Sequence, residues 1–326
     1  MKARKRVLLF ICTILVLLSG TVSATDRTAK NPKLARITTN NLTPVRVNED
    51  SSYTVNFELV MNYAVICQML NYNPVEELKG VYPGIRFIDL PKFRNRMMII
   101  NEAGLDENEQ GIQTIVFAGS ARLSNFLVDL DLLPVKSEEL NCRIHRGFLK
   151  SVIEVDSIVT QLLDKKRKIR LAGSSHGGAL AIIYAMFLKN QGFDIDLIIT
   201  FGQPRVTDEK GRNMWNNLPL IRVVNRTDIL PDFPPHNPFG YAHFGRMIFL
   251  YDDYNFSIYD EMVVAKIRPE TKVANLIFKF INKDISIPNH FINLVAARLE
   301  TYVERPPIYI PFNLGILPED AKKRKS

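Results

Sequence analysis

The stretch Ile169-Arg170-Leu171-Ala172-Gly173-Ser174-Ser175-His176-Gly177-Gly178 is the strongest constraint on how this chain folds. A short apolar strand runs into G-x-S-x-G, and Ala179 to Leu188 continue as an apolar helix. Glycine on both sides of a serine permits a tight reversal, because side chains there would collide with each other or with neighbouring strands. The turn lifts Ser175 above a sheet. It also sets the serine at a helix N-terminus, where backbone N–H groups stabilise a developing oxyanion. A phosphate-cradling loop is the competing reading, and the missing Lys-Ser/Thr ending weakens it.

Around this turn the pattern alternates. Strands are expected at Ile112 to Ala118, Ile169 to Ala172, Ile195 to Phe201, Leu220 to Asn225 and Arg246 to Tyr251, with helices at Phe148 to Leu163 and Ala179 to Leu188. Short apolar strands separated by longer helices indicate βαβ units and a mostly parallel sheet. Upstream, Phe57, Val60, Met61, Ala64, Val65 and Met69 recur at helical spacing and predict a core-packing helix over Tyr53 to Tyr72, with Cys67 buried among them. The run Asp164-Lys165-Lys166-Arg167-Lys168 reads as the solvated end of the Phe148 helix, its cations facing the negative end of the dipole. Pro231 to Pro238 reads as a loop between two strands.

A serine nucleophile on such a turn needs an orienting carboxylate and then a histidine, in that chain order, each on a loop after a later strand. Asp228 lies just beyond Leu220 to Asn225, where the carboxylate belongs. Of five histidines, His145 precedes the serine and His176 is its neighbour. His236 and His243 follow Asp228 closely, and His290 follows the last strand and a helix. Order favours His290.

The net charge of +8 on 326 residues suggests nucleic acid until its location is noted. Lys2, Arg4, Lys5 and Arg6 lie at one end and Lys322, Lys323, Arg324 and Lys325 at the other, so residues 25 to 321 are formally neutral. No nucleic-acid partner is expected. The first cluster, the apolar run Val7 to Leu18 and Val22-Ser23-Ala24 form a signal peptide over residues 1–24, cleaved after Ala24, which directs secretion. A twelve-residue run falls short of the roughly 20 needed to span a bilayer. Residues 25–52 read as an irregular N-terminal extension or pro-segment, and 311–326 as a basic tail. Cleavage removes Cys12 and leaves Cys67 and Cys142, which allow one disulfide. Sequons begin at Asn41, Asn225 and Asn255, and the one beside Asp228 is expected to be unused.

Several further elements carry a family resemblance. Val116-Phe117-Ala118-Gly119-Ser120 followed by Asp129, Ile144-His145-Arg146-Gly147-Phe148, Thr200-Phe201-Gly202-Gln203-Pro204-Arg205-Val206, the run Arg222 to Pro235, and Tyr241-Ala242-His243-Phe244-Gly245 resemble, in order and spacing, the class 3 family of secreted fungal lipases. The resemblance implies an α/β-hydrolase fold over residues 53–310, with a mostly parallel central sheet, helices on both faces and a short lid helix. It implies Ser175 as nucleophile, Asp228 as orienter and His290 as base. Ser120 and the backbone N–H of His176 would form the oxyanion hole, and His243 would be structural or line the pocket. Leu123, Phe126 and Leu127 fall at i, i+3, i+4 and give the lid one apolar face.

The implied activity is triacylglycerol hydrolysis at a membrane or emulsion surface, with no metal, organic cofactor or obligate protein partner. A phospholipase, a feruloyl-type esterase and an inactive secreted lipid-binding protein are the alternatives. The departures are Ser174 and His176, where the family usually has His and Leu, and Ala118 before Gly119, where it usually has Arg. The usual partners of Cys67 and Cys142 are also absent. His176 bears on the tightness of the oxyanion turn and on the pH optimum.

Overall fold

The computed structural model describes residues 43–49, 53–82, 84–90, 95–102, 110–119, 133–226, 228, 230–251, 254–260, 292–305 and 307–309. The expected signal peptide, the expected lid residues Leu123, Phe126 and Leu127, Ser120, His290 and the basic tail lie outside the described residues.

Strands β1 (Val45–Val47) and β2 (Tyr53–Val55) pair antiparallel. Two expectations change. Part of the segment read as irregular is a strand, and the helix predicted from Tyr53 begins only at Phe57. Asn56 sets that boundary: its Oδ1 accepts the Leu59 N–H at 3.0 Å and caps α1 (Phe57–Tyr72). Val60, Ala64, Cys67 and Met69 on α1 are buried, as their spacing predicted.

After α2 (Val75–Val81), β3 (Arg86–Leu90), β4 (Asn95–Glu102) and β5 (Ile112–Phe117) run antiparallel. Then come β6 (Pro134–Ser137), β7 (Cys142–His145), α3 (Arg146–Val159), β8 (Lys168–Ser174), α4 (His176–Asn190), β9 (Ile195–Phe201), β10 (Thr207–Asp208), α5 (Glu209–Trp215) and β11 (Leu220–Asn225). The chain continues through β12 (Tyr241–Ala242), β13 (Arg246–Leu250) and β14 (Asn255–Asp260) to α6 (Ile292–Glu304) and β15 (Ile308–Tyr309). The Pro231 to Pro238 stretch holds two short helical turns between its strands.

Among the described residues nine strands form the central sheet, in the order β15-β14-β13-β11-β9-β8-β5-β4-β3. Its middle, β5-β8-β9-β11-β13, is parallel throughout. Alternation along the strands divides the core between two faces. Ile115, Phe117 and Leu171 pack with α3 and α4, while Val116, Ala172, Ile199 and Val223 pack with α1 and α6. The small antiparallel sheet β12-β10-β7-β6 flanks the α4 side. Among the described residues no helix is long and apolar enough to cross a membrane.

The basic run after α3 does a different job from the one predicted. That helix ends at Val159 and a 3-10 turn follows at Thr160–Leu162. Lys165 reaches across instead: its Nζ donates to the carbonyl of Gln191, the residue ending α4, at 2.7 Å. Its charge therefore sits at the negative end of a neighbouring helix. Cys67 and Cys142 are both free and buried, in core clusters on opposite faces of the sheet, so they do not form a disulfide with each other.

Candidate active site

The parallel strands place two predicted site segments at one edge. Ser175 follows β8 and Asp228 follows β11, with only β9 between, so two strand spacings of about 4.8 Å separate the strand ends. Ser175 has φ 54° and ψ −125°, a backbone conformation unusual for a residue with a β-carbon and costing on the order of 1–3 kcal/mol. The surroundings enforce it. A Cβ on Gly173 would lie 2.4 Å from the Gly177 carbonyl, and one on Gly177 would lie 2.4 Å from the Ala118 oxygen. The Ser175 N–H donates to the Phe201 carbonyl at 2.8 Å, tying the turn to the end of β9.

Ser175 is 7% exposed, and its Oγ has no hydrogen-bond partner among the described residues. It is the N-cap of α4, and the first peptide N–H of that helix belongs to His176. N–H groups at such a position have no acceptor within the helix. The His176 ring lies against Phe148, with centroids 5.5 Å apart, and Phe148 stacks on His145 at 3.9 Å. Burial pushes the His176 imidazole down to about 4, so it is neutral at ordinary pH. His145 caps α3 through Nδ1, which accepts the Phe148 N–H at 3.3 Å.

Asp228 is buried and turns its own loop: its Oδ1 accepts the Leu230 N–H at 2.9 Å and its N–H donates to Asn225 at 3.1 Å. A network of side chains braces this loop. Arg222 is 1% exposed, and its Nε donates to Gln203 Oε1 at 3.1 Å. Gln203 Nε2 is 3.1 Å from His243 Nδ1, and His243 Nε2 is 2.6 Å from the Pro231 oxygen. A carbonyl only accepts, so His243 carries its proton on Nε2 and receives the Gln203 amide on Nδ1. Arg205 adds bonds to the carbonyls of Asp232 and Pro234. Both ring nitrogens of His243 are thus engaged in bracing this loop. His236 Nδ1 sits 3.1 Å from the Tyr241 oxygen.

His290 and Ser120 lie outside the described residues; the nearest described segment on one side of each is anchored. Helix α6 starts two residues after His290, and its Arg298 donates to Asn225 Oδ1 at 3.0 Å, at the root of the Asp228 loop. Asn225 is 3% exposed, which agrees with an unused sequon. Gly119 precedes Ser120, and its N–H donates to Asn71 Oδ1 on α1 at 2.8 Å. Asn71, Gln203, Arg222 and Arg298 were not singled out from sequence. Only Arg222 carries a local signal, a lone cation within the apolar strand Leu220 to Val224.

Residues 114–237, which hold Ser175 and Asp228, match the family described as lipase (class 3). This segment is similar to the class 3 lipases. The chain is similar to a lipase of Rhizomucor miehei, with 34% identity over 152 residues, 43% of this chain and 42% of that protein. It is also similar to secreted mono- and diacylglycerol lipase 1 of Fusarium solani, with 33% identity over 110 residues, 31% of this chain and 32% of that protein. The chain thus spans less than half the length of these curated relatives. Among solved structures, native Rhizomucor miehei lipase in its propeptide complex superposes with a TM-score of 0.51 at 26% identity, covering 60% of this chain and 70% of that one. The fold is that of the α/β-hydrolases.

Within the matched segment the departures have structural settings. His176 keeps its backbone N–H at the start of α4 and puts a neutral ring against Phe148 in place of an aliphatic chain. Ser174 is 3% exposed and faces Asn71, whose Nδ2 donates to its Oγ at 3.3 Å.

Proposed function

We propose that this chain is a secreted serine ester hydrolase of the triacylglycerol lipase type, acting at a lipid–water interface through an acyl-enzyme on Ser175. The supporting observation is the state of that serine. A non-glycine residue is held at φ 54°, with its hydroxyl buried and unpartnered among the described residues at a helix N-terminus. A structure whose only need was a turn would place glycine there.

In this reading His290 takes the Ser175 proton as Oγ attacks the ester carbonyl. Asp228 holds the imidazolium, and the oxyanion is received by the His176 N–H and by Ser120. Collapse expels the alcohol, protonated by His290. Water, activated by the same imidazole, then releases the fatty acid. These steps use side chains, backbone groups and water.

The lipid class rests on the relatives, one a lipase and one a mono- and diacylglycerol lipase. It also rests on the apolar face of Leu123, Phe126 and Leu127, proposed to cover the site in water and to open at a surface. Secretion rests on residues 1–24.

A fluorophosphonate probe tests the chemistry: the wild type should be labelled and Ser175→Ala should not. An unlabelled wild type sinks the proposal. Emulsified long-chain triglyceride should be hydrolysed faster than the same ester below its solubility limit, and equal rates would remove the lid from the mechanism.

A further inference from the structure

One contact outside the triad joins the two halves of the proposed oxyanion site, and the following rests on the ester-hydrolase reading above. Asn71, in the last turn of α1, makes two bonds at once. Its Oδ1 accepts the Gly119 N–H at 2.8 Å, and its Nδ2 donates to Ser174 Oγ at 3.3 Å. Gly119 immediately precedes Ser120, and Ser174 immediately precedes Ser175. One amide therefore holds both the strand end that carries one proposed oxyanion donor and the turn that carries the nucleophile.

The fit is close on every side. A Cβ on Gly119 would meet the Ser174 carbonyl at 2.9 Å and the Ser174 Oγ at 3.0 Å, so the backbone of 119 rests directly on Ser174. A ring at position 174 would need the space that Gly119 and Asn71 occupy. On the other side, the Ala118 N–H donates to the Arg96 carbonyl at 2.9 Å and continues the sheet ladder. The ladder thus ends at Ala118, and beyond it the next peptide N–H is directed by Asn71.

We propose that Asn71 is a positioning residue for the oxyanion hole: by accepting the Gly119 N–H while anchoring on Ser174, it holds Gly119, the residue before Ser120, against the turn that carries Ser175. Oxyanion donors act through placement, and a single well-placed donor is worth about 10²–10³ in kcat. Loosening a donor without deleting it should cost a fraction of that.

The test uses the full chain, a soluble short-chain p-nitrophenyl ester and an alkyl trifluoromethyl ketone, whose hemiketal with serine carries an oxyanion. Asn71→Leu, which lacks the acceptor, should lower kcat about tenfold with KM unchanged and weaken the ketone by the same factor. Asn71→Asp keeps the acceptor and should remain within about threefold of wild type. Hydrogen exchange at the Gly119 amide should be fast in the leucine variant and slow in the aspartate variant. The proposal is overturned if kcat survives Asn71→Leu, if both variants lose kcat equally in step with their melting temperatures, or if Gly119 exchange does not change. A wild type that neither turns over the ester nor takes a fluorophosphonate label overturns the hydrolase reading itself, and this proposal with it; a labelled wild type with an indifferent Asn71 overturns this proposal alone.

Discussion

The serine turn and the aspartate loop sit at the same edge of one sheet, yet they are held by different means. Ser175 is fixed by backbone: glycines too close for any β-carbon, a backbone hydrogen bond to the Phe201 carbonyl and the start of α4. Asp228 is fixed by side chains reaching in from elsewhere: Arg222 to Gln203 to His243 to the Pro231 carbonyl, with Arg205 alongside. A backbone device fails all at once because its atoms have nowhere to go. A side-chain network fails by degrees, since each lost bond costs about 1–3 kcal/mol and the rest persist.

The sharpest way to break that comparison is Gly177→Ala. A methyl 2.4 Å from the Ala118 oxygen should destabilise the chain by more than about 4 kcal/mol or prevent folding, as read by urea denaturation or soluble yield. A well-folded variant would mean that the turn is adaptable. Next comes Arg222→Met, which removes a buried cation from the loop network. It should cost about 2–3 kcal/mol and slow fluorophosphonate labelling about tenfold without abolishing it, since the serine turn stays intact. Complete loss of labelling in folded protein would make the two regions one unit.

The smallest effect concerns pH. His176 titrates near 6.5 when unfolded and at about 4 when folded, so the unfolded chain binds its proton first. Stability from this residue is complete above about 6.5 and is lost as pH falls toward 4. The residue as a whole is only half-buried, so the loss should be on the order of 2 kcal/mol. His176→Leu should flatten that part of the stability–pH curve and leave labelling at neutral pH unchanged, because the backbone N–H remains.

The same contrast explains what could be read from sequence. The Ser175 turn is legible because its requirements fall on consecutive residues. Strands Ile195–Phe201 and Leu220–Asn225 were bounded correctly because parallel interior strands are apolar along their whole length. The outer strands Arg86–Leu90 and Asn95–Glu102 mix charges with apolar residues, and those of the small sheet are two to four residues long, too short to show a period. Tyr53–Val55 reads as helix from sequence because its apolar content suits either element; only its partner strand, six or more residues upstream, decides. Lys165 was assigned to the wrong helix for a similar reason, since its carbonyl partner lies 26 residues away. Asn71 and Gln203 act across 48 and 40 residues, and nothing local marks an asparagine or glutamine as a brace.

Ser175 has one more consequence. Its backbone angles suit glycine, so every folded copy of this chain carries a strain that replacement by the simplest amino acid would relieve. The position therefore opposes its own occupant. A lipid carrier built on this frame, with no use for the hydroxyl, would gain stability by discarding it, and a chain that keeps the strained serine is trading resilience for reactivity.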